Sequence, residues 1–167
     1  MTEIRPYRPE DWPALWAVLA PVFRAGETYA VDPEITEEAA RRYWTEAPEA
    51  CFVAIGAEGA LLGTYYLKPN QAGPGAHVCN CGYVVGEAAR GQGLAEAMCR
   101  HSQEEGARRG YRAMQFNMVA ASNAGAVRLW QRLGFAIVGT LPEAFRHPRE
   151  GYVDAYVMMK RLGAAER

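Results

Sequence analysis

The chain has little bias in charge: 18 Lys+Arg stand against 19 Asp+Glu in 167 residues, a formal net charge of −1. Nucleic-acid binders concentrate basic residues to neutralise phosphates, so this balance argues against that class. No run approaches the roughly 18 consecutive apolar residues of a membrane span. The opening residues, Met1-Thr2-Glu3-Ile4-Arg5, hold no apolar signal-peptide core, so a cytoplasmic setting without a membrane partner is expected. Cysteine is scarce and unpatterned. Cys51, Cys79, Cys81 and Cys99 show no paired CxxC spacing, and a chain of this length needs no disulfide staples. Cys79 and Cys81 fall on one face of a strand-like run; burial as small hydrophobes explains them more simply than a metal pair, and no metal is expected. Long linkers, low-complexity runs and repeats are also missing, and 167 residues suit one domain, so 1–167 reads as a single unit.

The apolar pattern alternates between extended and helical periods. A strand is expected over 2–7, then a helix capped by Asp11 with Leu15, Val18, Leu19 and Val22 as its apolar stripe. A second helix is expected over 36–47. Strands follow over 51–55, 61–67 and 77–85, then a helix over 93–109, a strand over 112–119 and a helix over 123–133. The last two strands are expected over 135–138 and 151–160, with a proline-bearing loop between them. This order describes an α/β fold with a mixed sheet covered by helices.

The chemistry concentrates in Arg90-Gly91-Gln92-Gly93-Leu94-Ala95, between a strand and a helix. Two glycines there leave backbone N–H groups unshielded at the positive end of the helix dipole, a site suited to pyrophosphate. It is not a dinucleotide fingerprint, because Glu96 replaces the third glycine of GxGxxG. It is not a P-loop, because no Gly-Lys-Ser/Thr follows.

Arg90-x-x-Gly93-x-Ala95 resembles the acetyl-CoA signature R/Q-x-x-G-x-G/A of the GNAT superfamily of N-acetyltransferases. Asn123-Ala124-Gly125-Ala126-Val127-Arg128-Leu129-Trp130-Gln131-Arg132-Leu133-Gly134-Phe135 is similar to that superfamily's N-x-x-A-x-x-L-Y-x-x-x-G-F segment. The resemblance implies a mostly antiparallel sheet of six to seven strands flanked by about four helices, with two central strands splayed apart. It implies acetyl-CoA as co-substrate, with Val84 and Val85 offering backbone groups to the pantetheine arm. Arg90, Gly91, Gln92, Gly93, Leu94 and Ala95 would hold the pyrophosphate, and Asn123 and Trp130 would contact the cofactor. Asn123 is also a good helix cap. Trp130 departs from the family tyrosine that protonates the leaving thiolate; an indole N–H has no such acidity, and packing alone would explain it.

Gln115-Phe116-Asn117-Met118-Val119, Asn80 within Cys79-Asn80-Cys81, and Glu27-Thr28-Tyr29-Ala30 resemble the branch that acetylates the proline analogue azetidine-2-carboxylate. In that branch, asparagines at the positions of Asn80 and Asn117 serve the active site. An amide on the otherwise apolar face of Val78, Gly82 and Val84 needs a partner, which is either substrate or neighbouring backbone. Glu27 is a candidate base and Tyr29 a candidate acceptor contact; a solvated loop carboxylate is the plain alternative for Glu27. His77, His101 and His147 are weaker candidates, and Asp154 is left as either solvent-facing or directed at the site. The activity expected is direct attack of a small, amino-acid-like amine on the thioester, with a small-molecule partner and a homodimer compatible with the family. A non-catalytic acyl-CoA-binding sensor is the rival, sustained by Trp130 and the absence of an obvious base.

Overall fold

The computed structural model describes residues 1–163. Its seven strands are β1 (Glu3–Pro6), β2 (Ala50–Ile55), β3 (Leu61–Pro69), β4 (Val78–Val85), β5 (Ala113–Ala120), β6 (Ala136–His147) and β7 (Gly151–Arg161). They form one sheet in the order β1-β2-β3-β4-β5-β7-β6, antiparallel except at β4–β5. Four α-helices cover it: α1 (Trp12–Ala25), α2 (Glu37–Arg41), α3 (Leu94–Arg108) and α4 (Ala124–Arg132). The expected class, an α/β fold with a mixed, mostly antiparallel sheet of six to seven strands and about four helices, is the one observed. Among the described residues no helix is long and apolar enough to cross a membrane.

Alternation along the strands divides the core into two layers. Cys79, Cys81, Met98, Cys99, Met114 and Met158 pack under α3. Leu15, Leu19 and Phe23 of α1 pack with Trp44, Val53, Tyr66 and Val84 on the other face. All four cysteines are buried, and burial pushes the Cys51 thiol up to about 12 and raises that of Cys81 as well. They behave as small apolar side chains.

The first helix has a different start from the one its sequence suggests. The Asp11 carboxylate does not cap α1. It accepts the Arg8 backbone N–H at 2.8 Å and two N–H groups of Arg5, both at 2.8 Å, tying β1 to the entry of α1. The second helix is also shorter than 36–47. It starts on a Thr36 cap, which accepts the Ala39 N–H, and continues past Arg41 as one wide turn, Arg42–Glu46, where the Ala47 N–H reaches the Arg42 carbonyl at 2.8 Å. That turn carries Trp44 into the core, where its indole N–H donates to the Thr64 hydroxyl at 3.0 Å.

The largest departure lies at the sheet edge. Instead of a short strand over 135–138 and a loop, β6 runs for 12 residues through Pro142. The strand tolerates the proline because β6 is the outer strand, with one side unpaired. The pairing with β7 skips between Leu141 and Phe145. Glu143 there has φ of +50°, and its N–H donates to the Asp154 carboxylate at 2.9 Å. Asp154 therefore fixes a bulge and is not directed at a reaction site.

The Arg5 guanidinium holds the Asp11 carboxyl below the ordinary aspartate range. A depressed folded-state value means its stabilisation is complete above the unfolded value, about pH 4, and is lost as pH falls through the folded one. We expect Asp11→Asn to cost about 1–3 kcal/mol at pH 7 by urea unfolding, as for a charged, part-buried hydrogen bond. The gap to the parent should narrow below pH 4; an unchanged gap would contradict this role.

Candidate active site

β4 and β5 pair only at Val78↔Ala113 and Cys79↔Met114 and then separate. At the root of the separation the Asn80 side-chain amide donates to the Gln115 carbonyl at 2.9 Å, replacing the next ladder bond. The Asn80 carbonyl oxygen accepts from the Tyr66 hydroxyl at 3.3 Å. Asn80 is 6% exposed and lines the cleft that opens beyond it. Of its two alternatives the backbone partner is the one observed, and the side chain also borders the cleft.

Register decides which backbone groups of β4 face the gap. The Asn70 N–H bonds Val78 O and the Gly86 N–H bonds Leu62 O, so even-numbered β4 residues turn their polar groups toward β3. Cys81, Tyr83 and Val85 turn theirs toward the cleft. The expectation for Val85 fits this geometry. That for Val84 does not: its N–H and C=O face Thr64 on β3, and its side chain packs under α1. Tyr29, one of the expected contacts, donates its hydroxyl to the Tyr83 carbonyl at 2.6 Å and so ties the loop after α1 to this open edge.

The cleft occupies about 1140 Å³, somewhat above the roughly 300–1,000 Å³ of small-ligand sites. One end reaches Arg90, Gly91, Gly93, Leu94 and Ala95. Gly91 and Gly93 have φ of +73° and +79°, in the left-handed region, and a Cβ on either would meet open space. Among the described residues the N–H groups of Gly91, Gln92 and Gly93 find no acceptor, and those of Leu94, Ala95 and Glu96 are the unpaired donors of the first turn of α3. Leu94 contributes only its N–H, because its side chain is buried in the core. The Gln92 side chain folds back onto the Ala88 carbonyl at 3.1 Å and does not line the cleft. The charge of Glu96 is compensated: Arg100 bonds it at 2.8 Å and Arg132 lies 3.9 Å away.

Asn123 caps α4, its side-chain oxygen accepting the Ala126 N–H at 3.4 Å, and it also lines the cleft. Trp130 is 8% exposed, its ring packed 5.2 Å from both Phe116 and Tyr83, and it lines the cleft.

The other end of the cleft is aromatic and polar, bordered by Tyr29, Tyr43, Tyr66, Lys68, Asn80 and Asn117. Asn117 sits in an irregular stretch of β5 where pairing with β7 shifts, and it bonds Asn70 at 2.7 Å and Gln115 at 3.0 Å. Burial raises the Tyr29 and Tyr66 hydroxyls far above their ordinary values, so both stay protonated and act as donors. Glu27 borders the cleft, and its carboxylate is ion-paired with Arg149 at the β6–β7 turn.

The histidines lie elsewhere. His101 bonds the Tyr65 hydroxyl at 2.7 Å on the α3 face. His147 accepts the Arg149 and Glu150 N–H groups on Nδ1 and closes the hairpin, and His77 is exposed. Tyr66 and Lys68 were not expected here. Tyr66 reads as core packing from its sequence, and only the β3–β4 register reveals that Lys68 stands opposite Asn80.

A cleft between splayed parallel strands, closed at one end by a glycine loop on a helix N-terminus, is suited to an anionic cofactor lying along an open strand edge. A family model described as "Acetyltransferase (GNAT) family" matches residues 12–135. The chain is 32% identical over 157 residues to N-acetyltransferase aca1 of Schizosaccharomyces pombe, covering 84% of this chain and 75% of that one. A GCN5-related N-acetyltransferase from Kribbella flavida superposes with a TM-score of 0.91 at 44% identity, over 96% of this chain and 98% of that one. The fold is also that of a phosphinothricin acetyltransferase from Sinorhizobium meliloti in complex with acetyl-CoA (TM-score 0.84, 19% identity, 97% and 89% covered). The chain belongs to the GNAT acetyltransferase family, and its class of activity is N-acetyl transfer.

Gly82 tests the packing beneath the site. A Cβ there would meet the Tyr66 ring at 2.6 Å. We expect Gly82→Ala to displace Tyr66, cost about 1–3 kcal/mol in chemical denaturation and weaken its bond to Asn80. Unchanged stability would show that Tyr66 is free to move.

Proposed function

We propose that the chain acetylates the amine of a small, amino-acid-like acceptor, with acetyl-CoA as donor. The observation that carries this reading is the β4–β5 separation, which joins a pyrophosphate-sized row of free N–H groups to an aromatic and amide-lined pocket. Acetyl-CoA supplies a thioester whose acetyl carbon accepts the amine nitrogen as the C–S bond breaks and thiolate leaves. The N–H groups of Gly91 to Glu96, with Arg90 beside them, fit a pyrophosphate. The open β4 edge at Val85, Tyr83 and Cys81 suits an extended amide-bearing arm. Asn123 would border that arm.

At the other end Asn80 and Asn117 orient the acceptor, and the gap-facing N–H groups of β4 are placed to stabilise charge on the thioester oxygen. The attacking amine must be neutral. Glu27 is the carboxylate lining the acceptor end among the described residues, and it acts as base only when its pair with Arg149 opens. Tyr29 and Tyr66 stay protonated and cannot take that proton. Trp130, packed between Phe116 and Tyr83, is a wall and not an acid. The thiolate needs none, since a thiol of ordinary pKa, about 8.5, leaves readily and takes its proton from water. Resemblance to the azetidine-2-carboxylate branch favours a cyclic or amino-acid-like amine over a peptide.

The test is thiol release from acetyl-CoA across a panel of small amines, with direct measurement of acetyl-CoA affinity. Gly93→Val should weaken acetyl-CoA binding at least tenfold, because a branched residue cannot hold a φ of +79° without strain. Asn80→Ala should lower turnover about 10- to 100-fold while acetyl-CoA affinity stays within a few-fold. Tight acetyl-CoA binding with no turnover on any amine would favour the sensor reading instead.

A further inference from the structure

Lys68 has no role in the chemistry above, yet its surroundings are specific. It lies near the end of β3, paired in register with Asn80, and lines the acceptor end of the cleft. Directly opposed residues of neighbouring strands share a face with Cβ atoms about 4.5–5.5 Å apart. The Lys68 ammonium sits 5.2 Å from the centre of the Tyr66 ring and 5.9 Å from that of Tyr43. Among the described residues it forms no hydrogen bond and no ion pair.

The other basic groups around the cleft are committed. Arg132 approaches Glu96, Arg149 is paired with Glu27, and Arg90 belongs to the glycine loop at the far end. Ring faces offset part of the cost of taking an ammonium out of water, but they do not use its N–H donors. A half-buried lysine held against two rings, with its donors free, is a site for an anion.

We infer that Lys68 binds the carboxylate of the acceptor, and that the acceptor is therefore a free α-amino or α-imino acid, not a simple amine or an amide. This rests on the reading of the cleft as an amine acetyltransferase site and specifies its substrate class. An α-amino acid presents an amine and a carboxylate on neighbouring atoms. The cleft presents an amide, Asn80, and an ammonium, Lys68, on neighbouring residues of one sheet face. With the carboxylate on Lys68, the amine is turned toward Asn80 and the opening between β4 and β5, where the thioester must lie. The side chain or ring of the acceptor then rests against Tyr43 and Tyr66. Lys68 is a specificity-determining residue that contacts substrate away from the reacting atoms, so its loss should fall on KM more than on kcat.

The experiment compares proline, azetidine-2-carboxylate and a primary α-amino acid with their carboxamides, in the parent, Lys68→Met and Lys68→Arg. Methionine keeps most of the stem and removes the charge. The parent should prefer each acid over its amide. In Lys68→Met the ratio of kcat/KM for acid over amide should fall about 10- to 100-fold, the range for a charge-assisted hydrogen bond, mainly through KM of the acid. Taking that ratio between variants cancels the lower amine basicity of amides. Lys68→Arg should restore part of the preference. Acetyl-CoA affinity and the thermal midpoint, measured alongside, should stay near the parent values. A preference for acids that survives in Lys68→Met overturns the inference while leaving the acetyltransferase reading intact. If no amine, acid or amide, is turned over although acetyl-CoA binds, the acetyltransferase reading fails and the inference falls with it.

Discussion

Everything in the site depends on β4 and β5 meeting for two residue pairs and no more. A parallel ladder carried to the ends of both strands would consume the backbone groups of Cys81, Tyr83 and Val85 and close the cleft. Asn80 holds the point of departure, because its side-chain amide takes the Gln115 carbonyl that the next strand bond would have used. Past that point β5 turns to β7, with its own register shift between Phe116 and Val119, while β4 remains paired to β3 along its whole length. The cost of a separated pair of central strands is offset by the aromatic packing of Tyr83, Phe116, Trp130 and Phe135 below it.

The two ends of the cleft divide the electrostatic work. At one end the Glu96 carboxylate is held by Arg100, and a row of N–H groups and the dipole of α3 point outward. The other end places protonated tyrosines, amides and one ammonium around the acceptor. Tyr29 links the two by taking the Tyr83 carbonyl, which lies on the open edge of β4 between them. The Glu27–Arg149 pair brings the loop after α1 and the β6–β7 turn together at the rim of the acceptor end.

Much of this was legible in the sequence where a local signal exists. Gly91 and Gly93 announce an unshielded helix start because φ near +75° favours glycine, and Asn123 announces a cap that also faces the cleft. Long-range pairing was not legible. Val84 and Val85 read alike as neighbours in one strand, and only register separates the residue bonded to β3 from the one facing the gap. Pro142 reads as a loop, but an edge strand with a bulge fixed by Asp154 accommodates it. Glu27 reads as a loop carboxylate, and its partner is 122 residues away. Lys68 gave no signal at all, because its significance lies in facing Asn80 across two strands.

Hydrogen exchange of backbone amides, with and without acetyl-CoA, tests the central claim most directly, because each amide reports its own partner. The β4–β5 separation as the donor-binding cleft predicts slowed exchange at Gly91 to Glu96 and at Tyr83 and Val85 on saturation. Val84, already bonded to β3, should change little. Protection confined to other elements, or none at saturating acetyl-CoA, would contradict the assignment of this cleft.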